Sequence, residues 1–345
     1  MQLARVAWLG AALVAACGGD EPACDPAGPL CKQLSSYHLF DDIATRTPAA
    51  GVFPYSLNTP LFSDYTTKDR FLFVPPGQAF AWQDPDSFTA PVGTIAIKTF
   101  SYLADRRDPG GARRPLETRL LIKQDTGWTG GSYVYDEHDP HDATLAIAGA
   151  TLDTSWIHDD GAPRTNAYIV PNKNQCKECH EEHDERLDLL GPKARHLNKG
   201  DQLQQLNDLG ELTGAPPSAT WPRDVAAYDT SAGTVEERAR TWLDNNCSFC
   251  HNERGAARTS GLYLTFTTTD PLSLGICKPP VAAGRGSGGR SFGIVPGQPD
   301  ASIMMFRLES SEPDIRMPEL GRNLVDAEGA AIVRAWIASL PGSCP

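Results

Sequence analysis

Thr234-Val-Glu-Glu-Arg-Ala-Arg-Thr-Trp-Leu-Asp-Asn-Asn-Cys-Ser-Phe-Cys-His251 decides how the C-terminal third of this chain folds. Thr234 and Glu237 stand at capping-box spacing. Val235, Ala239, Trp242 and Leu243 recur on one helical face, so the spacing predicts a helix running directly into Cys247, Cys250 and His251. A second triplet of the same kind, Cys176-Lys-Glu-Cys179-His180, begins 71 positions before Cys247. Two thiols three residues apart share one helical turn, and the imidazole follows at once. This is the spacing that lets two cysteines add to the two vinyl groups of a haem while the histidine reaches the iron. Cys176, Cys179, Cys247 and Cys250 are therefore the expected attachment points of two covalent haems c. His180 and His251 are the expected proximal iron ligands.

Two other chemistries use CxxC pairs. A four-cysteine zinc site is disfavoured because the pairs are 67 residues apart and zinc gives no reason for a histidine after each. A thioredoxin-like dithiol would need a βαβ context that neither pair has.

At the far end Asp326 is placed to cap a helix whose Val333, Trp336, Ile337 and Leu340 form an apolar stripe, ended by Pro341-Gly342. Residues 232–345 are expected to make a mainly α, cytochrome c-like domain, with 252–325 wrapping the cofactor. Of its methionines, Met317 sits in a loop stiffened by Pro318 and is the expected distal ligand of the second haem. Met304 and Met305 read as core filler. For the first haem the candidates are more open. His183 shares a helical face with His180, while His196 lies far enough along to loop over and is the preferred distal ligand. His138, His141 and His158 are further candidates, and an open iron is the remaining alternative. Arg285 and Arg290, in the glycine-rich 284–290 loop, are candidates for the haem carboxylates. Asp136 to Asp142 reads as a solvated acidic turn in preference to a metal site.

Upstream, 36–170 is rich in short strands: 70–74, 93–100, 117–123, 132–135 and 167–170, bounded by Pro/Gly turns. This predicts an antiparallel β-rich domain, a sandwich or partial barrel, with its aromatic residues in the core. The expected fold class is α+β multidomain: β-rich 36–170, a first haem-binding segment 171–231, and the helical domain 232–345.

The length of 345 residues allows two domains, and 28 prolines and 31 glycines imply many loops. A net charge of −12 excludes a nucleic-acid surface. Nine cysteines are many for a cytosolic chain. Residues 1–16, with Arg5 before a short apolar run, read as an export signal too short to span a bilayer. Val14-Ala-Ala-Cys17 matches a lipobox, so Cys17 is the expected lipid anchor and 17–35 a tether. Cys24, Cys31, Cys277 and Cys344 remain. Two disulfides are expected among them, with Cys24–Cys31 and Cys277–Cys344 one of three pairings.

Asn58–Phe71 (NTPLFSDYTTKDRF), Val92–Phe100 (VGTIAIKTF), Pro171–His180 (PNKNQCKECH), Gly191–Arg195 (GPKAR), Cys277–Gly289 (CKPPVAAGRGSGG), Ile294–Ser310 (IVPGQPDASIMMFRLES) and Arg316–Arg322 (RMPELGR) carry a resemblance. Together they resemble an exported di-haem c-type cytochrome family of Gram-negative bacteria, from about residue 50 onward, and the C-terminal part is similar to the wider cytochrome c class. The resemblance implies two haems on the two CxxCH motifs and a lipoprotein or secreted form on the periplasmic side, with the outer membrane favoured. It also implies a redox partner such as an exported parallel β-helix protein. Electron transfer is the expected function. The competing class is a haem redox enzyme with an open first iron, although a di-haem peroxidase would place its motifs further apart.

Overall fold

The structure, a computed structural model, describes residues 23–180 and 187–345. The expected signal segment 1–16, Cys17 and His183 lie outside the described residues. In chain order the strands are β1 (Phe40–Asp42), β2 (Thr47–Pro48), β3 (Val52–Tyr55), β4 (Thr67–Phe73), β5 (Phe80–Gln83), β6 (Ser87–Thr89), β7 (Ile95–Leu103), β8 (Arg113–Gln124), β9 (Gly127–Tyr135), β10 (Ala143–Leu145), β11 (Ala150–Ile157), β12 (Pro163–Val170) and β13 (Leu212–Thr213). The helices are α1 (Gln175–His180), α2 (Ala194–Leu197), α3 (Gln202–Asp208), α4 (Val235–Cys247), α5 (Ile303–Leu308) and α6 (Ala327–Ser339). The class is mixed α+β, with a β-rich N-terminal part.

Its centre is a six-stranded antiparallel sheet ordered β10-β9-β8-β7-β4-β3. Side chains alternate between its faces. Phe71, Ile95, Ile97, Leu120, Ile122, Tyr133 and Tyr135 point to one face and form its core with Leu34, Tyr37 and Leu39. The sheet is open, with β10 and β3 as its edges. The five expected strands overlap β4, β7, β8, β9 and β12, with 74 and 93–94 falling outside the strand ends. β11 escaped notice because Thr151, Asp153 and Ser155 break its apolar signal.

Residues 24–35 are not a tether. Leu34 is 1% exposed, and Cys24, Leu30 and Cys31 pack on the same core. Leu34 donates its amide to the Ala143 carbonyl and Leu145 donates to Lys32. The glycine and prolines there shape a loop, and its leucines anchor it. The connector is likewise built into the β part. β13 pairs in parallel with β5, and Ala194, Leu197, Leu203 and Leu206 pack with Leu72, Phe80 and Trp82.

The C-terminal part surrounds a separate core of Ala239, Trp242, Leu243, Leu264, Ile294, Met305, Val333, Trp336 and Ile337. The capping box is present at 3.2 and 2.9 Å between Thr234 and Glu237, and Asp326 caps α6 through the Gly329 amide at 2.9 Å. α4 and α6 pack directly on each other. A Cβ on Gly329 would collide with the Trp242 indole, whose Nε1 donates to Asp326 at 2.9 Å. Gly329→Ala should therefore cost about 1–3 kcal/mol by overpacking, read as a lower denaturant midpoint with an unchanged slope.

The two parts meet along 58–66. Thr59 accepts the Ala227 amide and donates to the Val225 carbonyl, both at 2.8 Å, and Phe62 donates its amide to Asn246 at 2.7 Å. The buried carboxylate of Asp64 takes the amides of Asn323 and Leu324 at 2.7 and 2.8 Å.

Candidate haem-binding cavity

All four motif thiols are free, whereas Cys24 is bonded to Cys31 and Cys277 to Cys344. The first triplet occupies α1 entirely. The second finishes α4 and continues as a turn in which His251 donates its amide to the Cys247 carbonyl at 3.0 Å. The two motifs touch: Cys250 Sγ lies 3.3 Å from the Glu178 carbonyl, and its thiol hydrogen-bonds to Cys179. That bond pulls the Cys179 pKa down and pushes that of Cys250 up, while burial raises Cys176 and takes Cys247 to about 12. No three motif ligands come within 4.8 Å of one another, so a four-cysteine metal cage is not preformed. Among the described residues that criterion is met only by His158, Asp159 and Glu328. There Asp159 already pairs with Arg106, and Glu328 with Tyr65.

A cavity of about 1000 Å³ opens beside α1, at the upper end of ligand-site sizes. Cys176, Cys179 and His180 line it, with Arg70, Lys98, Arg119 and Ser132 from the sheet and Trp242, Met317 and Arg322 from the C-terminal part. Cys247, Cys250 and His251 do not line it themselves, but Ser248, Phe249 and Asn252 do.

The donor set fits a haem. His180 Nδ1 is 2.9 Å from the Asp188 carbonyl, which fixes the proton there and leaves Nε2 with its lone pair. Burial lowers its pKa to about 4, although the Asp188 carbonyl opposes the shift. His251 is likewise lowered to about 4 by burial and then by the Arg307 charge, and its buried Nδ1 has no hydrogen-bond partner. Both imidazoles are thus neutral at pH 7, the form that binds iron.

Met317 is held by two arginines. Its amide donates to the Arg307 carbonyl at 3.0 Å, and its carbonyl accepts Arg322 Nη2 at 2.7 Å. Arg322 also donates to the carbonyls of Arg307, Leu308 and Leu324, fastening the whole loop. The charges of Arg307 and Arg322 act on His251 and Cys247 respectively. Met305 is core and Met304 packs against it, as expected.

His196 lines the cavity but is committed elsewhere. Its Nδ1 accepts the Lys193 amide at 3.1 Å, so Nε2 carries the proton and faces Asp224 at 3.6 Å and Asp244 at 3.7 Å. In this arrangement it has no free lone pair for a metal, which corrects its assignment as distal ligand. None of His138, His141 and His158 lines the cavity. His158 packs against Tyr65, and the amides of His138 and His141 close Asx turns on Asp136 and Asp139. Arg285 and Arg290 are also remote. Arg285 faces Glu312 and Asp314, and Arg290 lies over Phe306. Three cations that do line the cavity, Arg70, Lys98 and Arg119, come from strands whose register was not visible in sequence.

No helix among the described residues is long and apolar enough to cross a membrane. Comparison with protein-family models, with curated proteins and with solved structures finds no match.

Proposed function

We propose that this chain is an exported, lipid-anchored di-haem c-type cytochrome that carries electrons, its C-terminal part being a cytochrome c-like unit. The observation that carries the reading is the contact between the two motifs, Cys250 Sγ against the Glu178 carbonyl at 3.3 Å. Groups attached there lie near enough for electrons to pass between them. Cys176, Cys179 and His180 would hold one haem and Cys247, Cys250 and His251 the other, with Met317 as a further ligand of the second. The bound groups supply reversible one-electron chemistry at iron. The chain's own residues fix both imidazoles neutral and hold the methionine loop in place through Arg322. They also cover the first site with a sheet. The two disulfides support export to an oxidising compartment. The net charge of −12 suits a basic redox partner, and an exported parallel β-helix protein is the class we favour.

The test is iron content with oxidised and reduced spectra of the exported protein. Two covalent haems per chain are expected, and fewer than two would refute the reading. Met317→Ala should abolish the low-spin methionine-ligated signature of one haem and leave the other unchanged.

A second reading, a redox enzyme with an open first iron, is favoured by the tautomer of His196, whose Nδ1 accepts the Lys193 amide while Nε2 carries the proton. Carbon monoxide or cyanide separates the two: rapid binding at one iron supports the enzyme, and no binding supports the carrier.

A further inference from the structure

One row of the six-stranded sheet differs from the rest of its face. In register, Arg70 on β4 pairs with Lys98 on β7, Lys98 with Arg119 on β8, and Arg119 with Ser132 on β9. The two-residue period puts all four side chains on one face. On one side of the row that face is covered by the cluster containing Leu72 and Trp82, and on the other by the cluster containing Phe100 and Tyr168. Between them the row lines the cavity shared with Cys176, Cys179 and His180.

Only one of these cations has a carboxylate. Arg119 makes a bidentate pair with Glu117 at 2.6 and 2.9 Å, and Glu117 also accepts the Tyr168 hydroxyl at 2.7 Å. Arg70 is 7% exposed, gives one N–H to the Lys68 carbonyl at 3.3 Å, and leaves buried Nη2 without a partner. Ser132, 3% exposed, also has a partnerless hydroxyl. Lys98 makes no ion pair or hydrogen bond among the described residues, and its ammonium stands 5.0 Å from the centre of the Phe100 ring. A buried guanidinium with no carboxylate is costly, so an acidic group on whatever fills the cavity would relieve Arg70 and, beside it, the unpaired Lys98.

We propose that Arg70, Lys98 and Ser132, with Arg119 braced by Glu117, anchor the carboxylate-bearing edge of the haem attached at Cys176 and Cys179. The inference rests on the di-haem reading and gives the β-rich part its purpose: it supplies the charge that holds and tunes the first haem. Nearby cations favour the reduced iron, so removing them lowers its potential.

The experiment is a potentiometric titration of the loaded protein, followed in the visible, for wild type, Arg70→Gln/Lys98→Met and Arg70→Lys. In the double variant both haems stay attached. One potential should fall by about tenfold in the reduced-to-oxidised ratio, about 59 mV for one electron, and the other should move by less. Arg70→Lys keeps the charge and most of the wild-type potential. Two attached haems with unmoved potentials would overturn the proposal, as would wild-type potentials that shift with acetate or phosphate at constant ionic strength, the sign of an exchangeable small anion. A wild-type chain without covalent haem refutes the earlier reading instead. Where the double variant does not fold, Lys98→Met alone is compared by thermal unfolding in the loaded chain and in Cys176→Ala/Cys179→Ala. The substitution should lower the midpoint in the first and raise it in the second. A shift of the same sign in both would overturn the proposal.

Discussion

Replacing Cys247 and Cys250 together by alanine is expected to leave one covalent haem per chain instead of two, with the surviving haem on Cys176 and Cys179. Replacing those two as well is expected to leave none. Mass measurement after denaturation reads both results directly, because thioether bonds survive unfolding whereas ligand bonds do not. The sites should behave independently in attachment, since each motif carries its own thiols and its own neutral imidazole. They should be coupled in potential, since the motifs touch. If the Cys247→Ala/Cys250→Ala chain still held two covalent haems, the motif assignment would fail, because no other free thiols exist among the described residues.

The second large effect concerns stability. Asp244, on α4, is 1% exposed in its side chain and accepts Lys193 Nζ at 3.2 Å and the Phe266 amide at 2.9 Å. It also faces protonated His196 Nε2. Around it Arg195 pairs with Asp86 and reaches Asp224 at 3.8 Å, so the network ties the β5–β6 turn, the connector and α4 together. Asp244→Ala should lower unfolding stability by about 1–3 kcal/mol, because the Phe266 amide and the partly buried Lys193 ammonium lose their acceptor. The expected readout is a denaturant midpoint well below wild type.

The pH dependence has a definite sign. Burial opposes the Asp244 charge, but Lys193, His196 and the Phe266 amide outweigh it and hold the carboxyl well below the usual range. Its contribution is therefore complete above the unfolded pKa of about 4 and is lost as pH falls further toward the folded value. The gap between wild type and Asp244→Ala should narrow below about pH 4. Asp224 works the other way. Burial raises its pKa despite His196, Asn245 and Arg195, so ionising it on the way up in pH costs stability.

The elements that announce themselves in sequence are local. Thr234 with Glu237, Asp326 before α6 and the CxxCH triplets depend on neighbours within a turn, and the structure has the caps and helices where those spacings put them. Met317 was marked by its proline and loop, and its supporting arginine was not, because Arg322 acts through backbone carbonyls. The cation row was hidden for a different reason. Arg70, Lys98 and Arg119 sit in separate strands between apolar residues, and only the pairing register aligns them. His196 looked like a free ligand because Asp224 and Asp244 are distant in sequence. The 24–35 segment looked like a tether because composition says nothing about where Leu34 goes.

Cys277 and Cys344 bracket α5, the Met317 loop and α6. That stretch is therefore a closed covalent ring, in which a single backbone cut yields no separate piece. A protease that nicks an exposed turn there would leave the methionine segment attached at both broken ends, and the damage would appear on a gel only after reduction. The methionine thus belongs to a loop that can be opened without being released.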